Sequence, residues 1–289
     1  MPWEFVNGLG EFLSFGKDPP FIISTVENLN AIKLSYGQIK TIGQDGVIIQ
    51  NESVQPLNLV VRGLINVDID EEHKLNEYIN QITSIFNPKK GKGLLRYIDD
   101  NNTTYEIECV ISSFEISNRP IDKTYTSRKF KVELLCPNPY WKATTTLVQM
   151  GYGLGGFSFP LQLPTKFAEI LTKVVITNYG DAPVPLLIKF YGPATTPELR
   201  NNTTGEVIRV NRVLTSDEVL IINTDDNNLD VQVQNLTTGT TEDAWNYIDI
   251  TACDFFKLQI GDNEIEFSTG DATEDARVEI YYRKRYLVV

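Results

Sequence analysis

The run SRKFKVELLCPNPYWKATTT, residues 127–146, constrains this chain more than any other stretch. Phe130, Val132 and Leu134 alternate with Lys129, Lys131 and Glu133, the two-residue period of a half-buried strand. Pro137 and Pro139 then forbid both a helix and a central strand. Tyr140 and Trp141 follow, and side chains with that much apolar area are expected to be packed. A strand that stops so abruptly marks the wall between two domains. The predicted organisation is a first domain over 1–141, a connector over 142–165 and a second domain over 166–289.

Periodicity fills in the first domain. Residues 1–30 read as aromatic and irregular, broken by Pro19 and Pro20, and IGQDGVIIQ (42–50) reads as a turn followed by a strand. LNLVVRGLINVDID (57–70) is a long strand with Leu57, Leu59, Val61, Ile65 and Val67 on one face. The period then changes. Leu75, Ile79, Ile82 and Phe86 form one stripe of an amphipathic helix over about 71–87, N-capped by Asp70 and stopped by Pro88. GLLRYIDDNNTTYEIECVISSFEI (93–116) is a hairpin turning at Asp99–Asn102.

Beyond the connector only strands are predicted, at 173–178, 185–192, 206–214, 218–224, 230–234, 255–260, 263–268 and 277–286. Clusters such as NNTTG and TDDNN separate them, the pattern of a β-sandwich or barrel. The fold class is mainly β: an α+β first domain with one helix, then a β-sandwich.

Composition narrows function. The net charge of -12 divides as -3 over residues 1–150 and -9 over 151–289, which disfavours a grip on a phosphate backbone by the second half. Cys109, Cys136 and Cys253 are sparse, odd in number and predicted in apolar strands, so they suggest no disulfide framework and assembly in a reducing cytoplasm. MPWEFVNGLGEF lacks the basic and apolar regions of a secretory signal, and no apolar run approaches the roughly 18 residues of a membrane span.

Each motif that could carry chemistry meets a physical objection. Gly151, Gly153 and Gly156 match G-x-G-x-x-G, but Pro160 and Pro164 preclude the helix that would hold a pyrophosphate. His73 is the only histidine and reads as a helical surface residue. Asp225, Asp226 and Asp230 miss the spacing of an EF-hand loop and read as a solvated turn. Glu264 and Glu266 share the wet face of a strand whose dry side is Ile265 and Phe267. No catalytic residue, metal site or cofactor is predicted.

Lys89, Lys90 and Lys92 form the basic cluster of the first domain, either a solvated loop or a contact for an acidic partner; Arg283, Lys284 and Arg285 form that of the second. Trp245 and Tyr247 are candidates for stacking on a saccharide.

The order of features carries more than any one of them. A GQDG turn precedes a strand, then VVRGLINV, the helix, the hairpin, KFKVELLCPNPYW and GGFSFPLQLP. The second domain follows with VVITNYGDAPVPLLIKFYG, LRNNTTGEVIRV, EVLIINT and FFKLQIGDNEIEF. Over essentially the whole chain this resembles the distal tail protein (Dit-type) family of siphophages.

The resemblance implies a first domain that forms a ring, normally a hexamer, at the end of the tail tube, and a galectin-like β-sandwich projecting outward. It implies a baseplate hub in the virion tail, with the tail tube protein, the tail-tip protein and receptor-binding proteins as partners, and DNA passing through without specific binding. It transfers no catalytic residues. The second domain has no histidine, unlike the loops of sugar-binding galectins. The alternative is an adhesin module that docks the particle on host cell-wall saccharide; a hydrolase is a third reading.

A cyclic ring uses heterologous contacts. Edge strands of the first domain are candidates for pairing between neighbours, and the outward helix face (Glu77, Asn80 and Gln81) is a candidate interface.

Overall fold

The computed structural model describes residues 3–43, 45–122, 124–154, 169–249, 251–270 and 276–289. The chain forms two compact units, Met1–Thr144 with Tyr286–Val289 and Thr145–Arg285. The last four residues therefore belong to the first unit, although the sequence pattern alone runs them on with the second.

The first unit contains β1 (Trp3–Val6), β2 (Phe12–Phe15), β3 (Phe21–Glu27), β4 (Leu34–Ile39), β5 (Ile48–Val54) and β6 (Leu57–Asn66). After these come α1 (Leu75–Ile85), β7 (Gly93–Ile98), β8 (Thr104–Ile116), β9 (Ser127–Cys136) and β10 (Trp141–Lys142). The main sheet runs β2-β1-β7-β8-β9-β6-β3, with β10 added beside β8. Its two ends meet: the Gly16 N–H donates to the Phe21 carbonyl at 3.1 Å and the Ile23 N–H to the Gly16 carbonyl at 2.7 Å. The sheet thus curls on itself around one core.

That core is built from the predicted alternation. Leu57, Leu59, Val61, Ile65 and Val67 are buried, as are Phe130, Val132 and Leu134. At Gly63 the same row of β6 has no room for a side chain, because a Cβ would lie 2.4 Å from the Phe130 ring and 2.5 Å from the Ile22 carbonyl. Trp141 is fully buried and meets Trp3 edge-on at 6.2 Å, so the aromatic pair behind the prolines closes the unit. Leu75, Ile82 and Phe86 are buried with Ile79 packed beside them, and α1 lies against β6 and β2.

Two local expectations fail here. Residues 1–30 are not irregular but supply three strands, whose alternation is too short to read alone. The turns before α1 are a 3-10 helix over Ile69–Lys74, kinked at Glu71, and Asp70 does not cap the α-helix. None of the residues of that 3-10 segment is buried, so no apolar contact holds it in α geometry until Leu75 reaches the core.

The second unit contains β11 (Thr146–Leu154), β12 (Glu169–Leu171), β13 (Lys173–Asn178), β14 (Leu186–Tyr191), β15 (Ala194–Thr195) and β16 (Glu198–Asn201). It continues with β17 (Val207–Arg209), β18 (Val213–Leu214), β19 (Glu218–Asn223), β20 (Asp230–Asn235), β21 (Thr241–Asp243), β22 (Gly261–Ser268) and β23 (Arg277–Tyr282). A seven-stranded sheet, β12-β11-β23-β14-β19-β20-β21, faces a four-stranded sheet, β13-β22-β16-β17. Ile188, Phe190, Ile222 and Ile280 from the first meet Leu199, Ile265 and Phe267 from the second in one core, with the Phe190 and Phe267 rings 5.9 Å apart. This is a β-sandwich.

The predicted connector is largely strand where it is described. β11 pairs β23 from Thr146↔Tyr282 to Gly151↔Arg277. Gly151 serves this pairing, since a Cβ there would lie 2.6 Å from the Ala276 carbonyl. Gly156, Pro160 and Pro164 lie outside the described residues. Residues 255–260, expected as a strand, make only an isolated bridge between Leu258 and Val184. Cys253 sits in a loop rather than a strand. Among the described residues no helix is long and apolar enough to cross a membrane.

Candidate assembly surface

Strands β4 and β5 form a two-stranded ribbon of their own, paired from Leu34↔Val54 to Ile39↔Ile48 with a bulge after Ser35. Gly43 and Gly46, at φ of 83° and 91°, make the tip turn, a conformation that L side chains rarely adopt. At the base, the Gln55 N–H donates to the Lys33 carbonyl at 2.8 Å and Asn28 Nδ2 donates to the Asn58 carbonyl at 2.9 Å. Of the thirteen residues in the two strands only Val54 is even half-buried.

The composition of this ribbon is at odds with its exposure. Leu34, Tyr36, Ile39, Ile42, Val47, Ile48 and Ile49 are all exposed, Ile42 completely. Ile48 and Ile49 are neighbours in a strand and so point to opposite faces, which makes the ribbon apolar on both sides. An isolated two-stranded ribbon is marginal in water, and an apolar surface of this extent marks a contact with another molecule. The outer edges of β4 and β5 also carry no partner strand among the described residues, whereas the main sheet curls so that its ends meet. The ribbon thus offers free strand edges together with its apolar faces.

The other predicted interface residues are placed as follows. Glu77, Asn80 and Gln81 are exposed along α1, opposite the buried stripe. Lys89 and Lys92 are exposed. Lys90 is tied into its own unit: its Nζ pairs with Glu11 and donates to Ser84 Oγ at 2.8 Å. That pairing, followed by a hydrogen bond from Asn7, holds the Glu11 carboxyl below its ordinary pKa.

The saccharide candidates Trp245, half-buried, and Tyr247, exposed, lie in one short segment of the second unit. The Trp245 ring packs on Phe255 at 5.5 Å and against the sandwich core, and the Arg212 guanidinium lies 4.8 Å over the Tyr247 ring. In the basic run, Arg285 lies 3.1 Å from Asp225 and Lys284 lies over the Tyr179 ring at 5.2 Å. Asp225 also accepts from the Asn227 N–H at 3.1 Å, in a turn, and Asp226 pairs with Lys257. Glu264 pairs with Lys173 at 2.7 Å on the outer face of the four-stranded sheet, and Asn202 donates to Glu266 at 2.7 Å. Among the described residues no three potential metal ligands converge.

The ribbon is the feature that sequence reasoning missed. Its signal is present, since apolar residues flank the Gly-Gln-Asp-Gly turn on both sides, but LSYGQI is too polar to read as a strand by itself.

Comparison with known proteins accounts for both units. Residues 10–136 match the family described as phage tail protein, RIFT-related domain, and residues 179–286 match the C-terminal domain of the siphovirus-type tail component family. No curated protein matches the chain in sequence. Among solved structures, the Dit protein of phage SPP1, titled a paradigm of the hub adsorption apparatus in phages infecting Gram-positive hosts, superposes with a TM-score of 0.69 at 14% identity, over 99% of each chain. A chain of the phage P2 baseplate, in its activated conformation with calcium, superposes with a TM-score of 0.55 at 13% identity, over 100% of each chain. With both domain families matched in order and the fold shared from end to end, the chain belongs to the distal tail protein family of siphophage tail components.

Proposed function

We propose that this protein is the structural hub of a siphophage tail tip, built as a ring of identical copies and located in the virion tail. The first unit forms the ring, and the tail tube protein, a tail-tip protein and a receptor-binding protein attach to it, with DNA passing through the centre. The role is mechanical and not enzymatic. The observation that carries this reading is the exposed, two-sided apolar ribbon of β4 and β5. A ribbon reaching from one copy onto a different patch of the next is the heterologous contact that a closed ring requires. Backbone groups on its free edges add directional hydrogen bonds to that contact.

The acidic second unit suits a part that must let DNA pass without holding it.

Light scattering with negative-stain imaging of the same fraction tests the reading. The expected particle is a six-fold ring with a central hole, lost in the Ile48→Asp, Ile49→Asp variant while the circular dichroism of the monomer is kept. A chain that stays monomeric at all concentrations, alone and mixed with the tail tube protein of its own phage, overturns it.

A further inference from the structure

Cys109 lies in β8 and Cys136 at the end of β9. The two strands pair with Val110 opposite Leu135, which sets Cys109 opposite Cys136 one step further along. The residues are 1% and 0% exposed and face the same core. Facing residues of an antiparallel pair have Cα atoms about 4.5–5.5 Å apart, inside the range of about 4.4–6.8 Å that a disulfide spans. Both are free thiols.

We propose that Cys109 and Cys136 are a latent cross-strand disulfide, open while the protein is made in the reducing cytoplasm and closed once the particle is outside the cell. The inference rests on the virion location given above. A buried pair admits only a small oxidant, and hydrogen peroxide supplies the chemistry. The deprotonated Cys109 sulfur attacks one peroxide oxygen, an S–O bond forms, the O–O bond breaks and a water leaves after protonation. The Cys136 sulfur then attacks the sulfenic sulfur, the S–S bond forms, the S–O bond breaks and a second water leaves. Two thiols are oxidised by two electrons in total and one peroxide is reduced to two waters.

The hydrogen bond to Cys109, followed by burial, pushes the Cys136 thiol far above its ordinary pKa. Cys136 is therefore rarely a thiolate, and its attack on the sulfenic sulfur proceeds slowly through local opening of the strand end before Pro137. Slow closure suits a particle that waits outside its host. Cys253, half-buried in the other unit, is the internal control.

The test uses the full-length protein held in dilute hydrogen peroxide, then denatured, alkylated with iodoacetamide and mapped by mass spectrometry. The expected product has lost two hydrogens and contains one cross-linked peptide joining Cys109 to Cys136. Its thermal midpoint is raised by several degrees, a rise that dithiothreitol reverses. A Cys253→Ser variant gives the same product. Mapping reads the native pair directly, so no core substitution is needed. Full alkylation of Cys109 and Cys136 after prolonged exposure overturns the proposal. So does gain of oxygen at either residue without a cross-link, or a cross-link that runs through Cys253.

Discussion

The first unit contains two antiparallel ribbons of similar length and opposite fate. In β7 and β8, Leu95, Tyr97, Ile107, Cys109 and Ile111 are buried, while Arg96 on the other face bridges Glu4 at 2.9 Å and Glu106 at 2.7 Å. In β4 and β5 six of the thirteen residues are apolar, and only Val54 is even half-buried. Pairing between two strands therefore does not decide stability here. β7 and β8 sit between β1 and β9 in the curled sheet and share its core. Among the described residues β4 and β5 pair only with each other, and their apolar surface stays exposed.

The largest test breaks the covered side. Ile82→Asp puts a charge where a side chain is 0% exposed, and should remove the cooperative unfolding transition of the first unit at a cost above about 4 kcal/mol, read by thermal circular dichroism. Gly63→Val drives two strands apart at the Phe130 ring, and should cost about 1–3 kcal/mol in a urea titration.

On the uncovered side, Ile48→Asp should change monomer stability by no more than about 0.5 kcal/mol while abolishing the ring in light scattering. Unfolding by this change would sink the distinction between the two ribbons. A finer probe is limited trypsin digestion, which should cut at the exposed Lys40 in the monomer and spare it in the assembled particle.

The second unit offers a smaller, pH-dependent contrast. Burial pushes the Glu279 carboxyl up, but hydrogen bonds from Tyr281 at 2.7 Å, Tyr191 at 2.9 Å and Gln149 at 2.9 Å outweigh it and hold it below the ordinary range. A depressed folded-state pKa contributes stability that is complete above the unfolded value of about 4.3 and is lost as pH falls through the folded value. Glu279→Gln should therefore flatten the acid limb of the thermal midpoint of this unit, with no effect near neutral pH on the shape of the profile.

Much of this was legible in residue order. The alternation at 57–67 and 130–134 is covalently local, and one buried face is all it needs to become a strand of the core. The stripe of Leu75, Ile82 and Phe86 is equally local, as is the proline stop that places Trp141. The candidate surface was not legible in the same way. Glu77, Asn80 and Gln81 are exposed, which any polar helix face predicts, while Lys90 turned inward to Glu11, a partner distant in sequence.

What the sequence alone determined is the class of the protein: a mainly β chain in two parts with one amphipathic helix and the domain order of a distal tail protein. Only the tertiary structure decided which apolar residues are core and which are surface. Ile48 and Ile49 are an adjacent apolar pair in a strand as Leu94 and Leu95 are, and burial depends on which strands come to lie beside them. The same holds for Cys109 and Cys136, which become neighbours only through the register of β8 on β9, because hydrophobic burial is non-directional and register is fixed by the whole sheet.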